Sequence, residues 1–205
     1  MTPVKVLAVR YLQNVSPGLA HALGTDARCL AMLTTDCDDA TYIALDAATK
    51  AASAHVSYAR SFYAGAANAS QPYAGEVIGI LGAATPGDAR SAMEAALSAL
   101  KELGFTEYNG VSYLAHTVSS AGSFLSQEAG VPLGSALAYL IAPPLESVYG
   151  LDAALKAADV RLCRLYAPPS QTNFGGGLLT GTQSACAAAC QAFAQAVEEV
   201  ARFPK

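Results

Sequence analysis

The chain has 205 residues, 53% of them apolar and only 14% charged, with a formal net charge of −4. That length leaves room for two domains of about a hundred residues each, and the acidic balance, with no basic run, excludes a phosphate-tracking nucleic-acid surface. No run approaches the roughly 18–20 apolar residues of a membrane helix, so the apolar excess points to surface buried between subunits.

In chain order, Val4–Leu12 reads as a strand, because Lys5 and Arg10 interrupt it where a signal-peptide core would stay apolar. Ser16–Leu23 follows as a short helix closed by Gly24, then Cys29–Thr34 as a strand and Asp39–Ser53 as an Ala-rich helix. His55–Ser61 alternates as a third strand, a loop runs through Gly65 to Gly75, and Glu76–Leu81 makes a fourth strand. Thr85–Leu103 carries full helix punctuation: Thr85 as cap, Pro86 in the first turn, Asp88 at the positive end of the dipole, and Gly104 beyond the end. In the second half the strands are Val111–Val118, Leu137–Ala142, Val160–Tyr166 and a stretch near Leu178–Thr180, the last preceded by a Pro- and Gly-rich loop from Pro168 to Gly177. The helices are Leu145–Ala158 and Gln183–Phe203. Strands interleaved with helices in both halves predict two compact α/β modules.

The halves also repeat each other in sequence. Leu45-Asp46-Ala47-Ala48-Thr49-Lys50-Ala51-Ala52 returns as Leu151-Asp152-Ala153-Ala154-Leu155-Lys156-Ala157-Ala158, and Val4–Ala8 (VKVLA) matches Val111–Ala115 (VSYLA). Gly75–Gly82 has a gapped counterpart in Gly175–Gly181. A doubled chain presents pseudo-symmetric surfaces, which favours a tile or ring component over a lone catalyst.

Little else carries chemistry. Five cysteines are an odd number without an export signal, as expected of a reduced cytoplasm, and Cys186 and Cys190 share one helix face as apolar fillers. His21, His55 and His116 show no metal-ligand spacing, and neither a metal nor a cofactor is expected. Asp36, Asp38 and Asp39 do crowd three carboxylates into four positions at a strand-to-helix junction, where mutual repulsion favours a cation or a polar donor. The cluster approaches the D-x-D-x-T/V signature of aspartyl-phosphate phosphohydrolases, with Asp36 and Asp38 as the acids, but Ala40 stands where Thr or Val is needed. A soluble amine- or metal-binding sensor could use the same cluster; it would stay a small discrete oligomer on concentration, where a tile would form layers. No Ser–His–Asp set, P-loop or dinucleotide fingerprint occurs.

The helix form D-A-x-x-K-A-A at Asp46–Ala52 and Asp152–Ala158, with the Gly-rich run Gly175–Gly177 before Leu178 and Thr180-Gly181, resembles the bacterial microcompartment (BMC) shell domain. Within that family the chain resembles the tandem-domain, trimer-forming EutL shell proteins of ethanolamine utilisation. The stretches that carry this likeness are Asp36–Lys50, Arg60–Ala67, Ala138–Glu146 and 168–173. The resemblance implies an α/β (α+β) fold of two circularly permuted, ferredoxin-like BMC domains, residues 1–107 and 108–205. It further implies a pseudohexameric homotrimer tiling with other shell proteins in a compartment within the cytoplasm, with no enzymatic activity. Lys50 and Lys156 would lie at the tile edges. Asp38, Asp39 and Glu76 would line a small pore and hold ethanolamine, with Phe105 and Thr172 at further positions near it. The two loops, with Tyr63 or Tyr73 as plugs and Gly175, Gly176 and Gly177 at the end of the second, would line or close a central pore.

Overall fold

A computed structural model describes residues 1–62, 75–168 and 172–203. It divides into two compact units, each described by itself: Pro3–Gly104 with Gly122–Leu125 (the N-terminal unit), and Met1–Thr2, Phe105–Ala121 and Ser126–Lys205 (the C-terminal unit).

In the N-terminal unit the order is β2 (Val6–Leu12), α1 (Pro17–Ala22), β3 (Cys29–Thr35), α2 (Asp38–Ala51), β4 (Ala54–Ser61), β5 (Val77–Ala83) and α3 (Pro86–Leu100). The sheet runs β2-β3-β5-β4, every neighbouring pair antiparallel. β3 and β4 are therefore parallel, joined by α2 as a crossover with β5 inserted between them, the split β-α-β arrangement of ferredoxin-like folds. β3 and β5 carry apolar residues at nearly every position because both faces are covered. α2 and α3 pack on one face through Ala44, Leu45, Ala48, Ala92, Met93 and Ala96, all fully buried. α1 closes the other face over Val15, Ala27, Leu30 and Ile80.

The C-terminal unit repeats the order with β7 (Val111–Val118), α4 (Ser123–Ala129), β8 (Ala136–Ala142), α5 (Pro144–Ala157), β9 (Val160–Tyr166), β10 (Gly175–Gly181) and α6 (Gln183–Arg202). Its strands follow the same β7-β8-β10-β9 sequence, and β6 (Gly104–Tyr108) and β1 (Thr2–Pro3) extend the sheet to six at the β7 edge. The core gathers Tyr113, Leu140, Leu151, Leu179, Phe193 and Val197 with Cys186 and Cys190, so both helical cysteines fill apolar space. The repeat in the sequence thus appears as a repeat of topology.

The Thr85 cap forms as the sequence predicts, accepting the Asp88 N–H at 3.1 Å; Thr182, which the sequence reading did not name, caps the last helix by accepting the Ala185 N–H at 3.1 Å. Most element ends shift by a residue or two from the sequence reading, and some differences are larger. α3 stops at Leu100, because Lys101 and Glu102 bond back only three residues, to Ser98 and Ala99, tightening the chain before Gly104. β6, unassigned from sequence, is turned into β7 by Asn109-Gly110, both at positive φ (48° and 78°), the conformation a two-residue hairpin needs. The short α4 was also unassigned. Finally, Gly175–Gly177 belong to strand β10, paired with Ala142, Ile141 and Leu140 of β8, and not to the loop before it. At Gly176 a Cβ would lie 1.8 Å from the Leu140 carbonyl oxygen, so only glycine brings the strands this close.

Candidate functional site

Three strand ends meet at the first turn of α2. Thr35 of β3 and Ser61 of β4 both pair with Val77, the first residue of β5, so Asp36–Asp39, Ser61 and Glu76 converge at one edge of the sheet. A hydroxyl network fixes the turn. Thr35 Oγ1 accepts the Cys37 N–H (3.1 Å), and the Thr35 and Thr41 hydroxyls both lie within hydrogen-bond distance of the Cys37 carbonyl (2.9 and 2.8 Å), sharing their two protons between that oxygen and each other. The two threonines also touch each other at 2.7 Å, and both are fully buried. Cys37, the N-cap residue, makes no side-chain cap bond; instead Asp38 Oδ1 accepts the Asp39 N–H at 2.9 Å. The Glu76 backbone is stitched in on both sides, its N–H to the Thr35 carbonyl and its carbonyl to the Phe62 N–H.

The carboxylates here are not surface acids. Asp38 is 8% exposed and Asp39 7% exposed. Burial raises the Asp38 pKa, against a hydrogen bond from Ser61 that pulls it down. Glu76 is also raised, by burial first and then by the negative charge of Asp38 and Asp36. Burial, reinforced by these acids, pushes the Cys37 thiol up as well, so it stays protonated. Tyr42, hydrogen-bonded to Ser61, is pushed up to about 12 and remains a neutral phenol. Negative charge from Asp38 and Glu76 is concentrated at a half-dry place, which a small cation or a polyhydric donor would relieve.

The structure brings Asp38, Asp39 and Glu76 together, as the sequence suggests. Asp36 is exposed and accepts the Lys5 backbone N–H at 2.8 Å. Phe105 and Thr172 belong to the C-terminal unit, where Phe105 packs edge-on against Phe174 with ring centroids 5.4 Å apart. Lys50 and Lys156 end α2 and α5 and pair one turn back with Asp46 (3.4 Å) and Asp152 (2.6 Å). Tyr63 and Tyr73 lie outside the described residues. Among the described residues no group of three His, Cys, Asp or Glu side chains is arranged to hold a metal ion.

Sequence reasoning missed Thr35, Thr41, Tyr42 and Ser61, for which no pattern exists, and it missed Asp46. That residue is fully buried in the N-terminal unit. Its Oδ2 accepts the Gly122 N–H at 2.7 Å and its Oδ1 the Leu125 N–H at 2.8 Å, while Thr49 Oγ1 accepts the Ser123 N–H at 3.1 Å. Phe124 meets Tyr42 with ring centroids 5.8 Å apart. Segment Gly122–Leu125 is in this way latched onto α2.

No family profile matches the chain. It is 55% identical over 205 residues to the bacterial microcompartment shell protein EutL of Clostridium perfringens, covering 97% of this chain and 94% of that protein. It is 45% identical to the EutL shell protein of Salmonella typhimurium over the same shares. The crystal structure of the ethanolamine utilization protein EutL from Leptotrichia buccalis superposes with a TM-score of 0.95 at 54% identity, covering 99% of this chain and 96% of that one. Two like α/β units in one chain, with these matches over nearly its whole length, define a tandem-domain shell protein of a bacterial microcompartment. Within that class the chain belongs to the EutL family. These are structural proteins of the compartment shell and not enzymes, which disposes of the phosphohydrolase reading of Asp36 and Asp38.

Proposed function

We propose that the acidic site at the start of α2 binds ethanolamine, and that the chain acts as a homotrimeric tile whose central pore is gated by the loops before β5 and β10. The observation that carries this reading is the convergence of Asp38, Asp39 and Glu76, three carboxylates held partly out of water at the ends of β3, β4 and β5. An ammonium group would pair with the raised carboxylates of Asp38 and Glu76, and a hydroxyl on a two-carbon spacer would donate a further hydrogen bond to a carboxylate, so ethanolamine can engage the site with both polar ends. The neutral Tyr42 phenol and Ser61 hydroxyl stand beside the acids and keep their orientation. In this reading residues 1–107 and 108–205 are the two BMC domains, and Lys50 and Lys156 face neighbouring tiles.

Calorimetric titration with ethanolamine tests the binding claim. Binding favours the charged carboxylates whose pKa values the site raises, so it releases protons, and affinity falls as pH drops through the carboxylate range. Proton release is read from the buffer dependence of the binding heat. Hydrogen exchange of the two loops with and without ethanolamine tests gating: equal protection in both states removes the gate.

A further inference from the structure

Position by position, the two copies of one surface differ in a matched way. Counterparts lie 106 residues apart: Tyr42 and Val148, Asp46 and Asp152, Thr49 and Leu155 on the helices; Gly122 and Ser16, Ser123 and Pro17, Phe124 and Gly18, Leu125 and Leu19 on the segments. In the N-terminal unit the helix face is covered by segment Gly122–Leu125, and Asp46 and Leu125 are buried at 0% and 1%. The counterparts are bare. α5 exposes Leu145 (80%), Val148 (57%), Tyr149 (53%) and Leu155 (36%) around the exposed Asp152, and the Ser16–Leu19 turn is exposed throughout, Leu19 at 43%. Each chain therefore carries one uncovered helix face and one uncovered plug of the kind that covers such a face.

The bare pair is mutually adapted. Where Ser123 donates its N–H to Thr49 Oγ1, the counterparts are Pro17, which has no N–H, and Leu155, which has no acceptor. Where the Phe124 ring meets the Tyr42 ring, the counterparts are Gly18 and Val148. The polar pair of one copy is matched by an apolar pair in the other, and the aromatic pair by a pair of smaller residues. Ser16 Oγ accepts the Leu19 N–H (3.3 Å), the counterpart of the Leu125 donor, so of the two latch donors it is the Ser16 N–H, counterpart of that of Gly122, that is placed to meet Asp152.

We propose that the α5 face of one chain is covered by the Ser16–Leu19 turn of a second copy, docked as Gly122–Leu125 is docked on α2. This rests on the trimer reading above and assigns the contact that closes it. Plug and face are different surfaces, so the contact is heterologous and runs head to tail, which yields a ring or an open filament and not a two-fold dimer.

The test is oxidation of the full-length Pro17→Cys/Leu155→Cys double variant, the pair equivalent to Ser123 and Thr49, read on a non-reducing gel beside both single variants and light scattering of the unaltered chain. The expected result is covalent species of two and three chains in the double variant only. A second variant, Leu155→Lys, should raise the concentration at which the assembly dissociates by about tenfold or more with its helical circular dichroism unchanged. A three-chain mass without the cross-link, and with Leu155→Lys assembling normally, overturns this contact while leaving the trimer standing. A single-chain mass for the unaltered protein overturns both.

Discussion

Asp38 and Glu76 illustrate how a proposed binding site would be held at the expense of the fold. For each, the folded pKa is raised, so the stabilising contribution is full below the ordinary carboxylate range near about pH 4 and is lost as pH rises through the raised value. Asp38→Asn and Glu76→Gln, which keep shape and remove charge, should therefore stabilise the protein at neutral pH and not at acid pH. The gain should be on the order of 1 kcal/mol, about 2–4 °C in Tm for a chain of this size. Thermal scans at stepped pH check this, and a gain that does not change with pH would mean the acids are not strained by burial. The same variants should lose ethanolamine binding. Thr35 is different in kind. Its fully buried hydroxyl accepts the Cys37 N–H and shares its proton with the Cys37 carbonyl or the Thr41 hydroxyl, so Thr35→Val should cost about 1–3 kcal/mol and loosen the start of α2.

At the scale of elements, α2 and α5 show one motif in two environments. Asp46→Ala leaves the Gly122 and Leu125 N–H groups without their acceptor in a buried place, and should cost about 2–4 kcal/mol with faster amide exchange across α4. Asp152→Ala should shift unfolding of the dissociated chain by less than about 0.5 kcal/mol, because its pairing with Lys156 is solvated on both sides. Urea denaturation of the two variants at low protein concentration separates these values. The seat of α2 is set by Gly79 of β5: a Cβ there would lie 2.8 Å from Leu45 Cδ1 and 2.9 Å from Leu33 Cδ2. Gly79→Ala should therefore destabilise by about 1–3 kcal/mol through overpacking. The regular elements were legible in sequence because their punctuation is local: Thr85 and Pro86 open α3 visibly, and Leu45–Ala52 announces its own copy. Segment Ser123–Ala129 was not, since a seven-residue helix has little periodicity and its start is held by Asp46, distant in sequence. β6 could have been found from Asn109-Gly110, a strong two-residue hairpin signal.

For the whole molecule, the sequence repeat revealed that the fold is doubled, and the resemblance found in its motifs named the family. It did not reveal which copy of each surface is covered. Asp46 and Asp152 sit in nearly identical sequence, yet one is buried and the other open to water, a difference that only three-dimensional packing creates. As a shell component the protein should form flat layers on concentration, seen by electron microscopy of negatively stained samples. Lys156→Glu reverses a charge proposed for the tile edge and should abolish the layers in the same images.

Each unit is built from segments that are not contiguous in the chain, which has a genetic corollary. Thr2–Pro3 extends the sheet of the C-terminal unit, while Gly122–Leu125 fills a place on the N-terminal one. A gene split after Gly104 would leave the upstream product with an unmet Asp46 carboxylate and deprive the downstream product of an edge strand. Fragments produced separately should be poorly soluble and should recover on co-expression, as measured by the soluble yield of each fragment alone and of the pair.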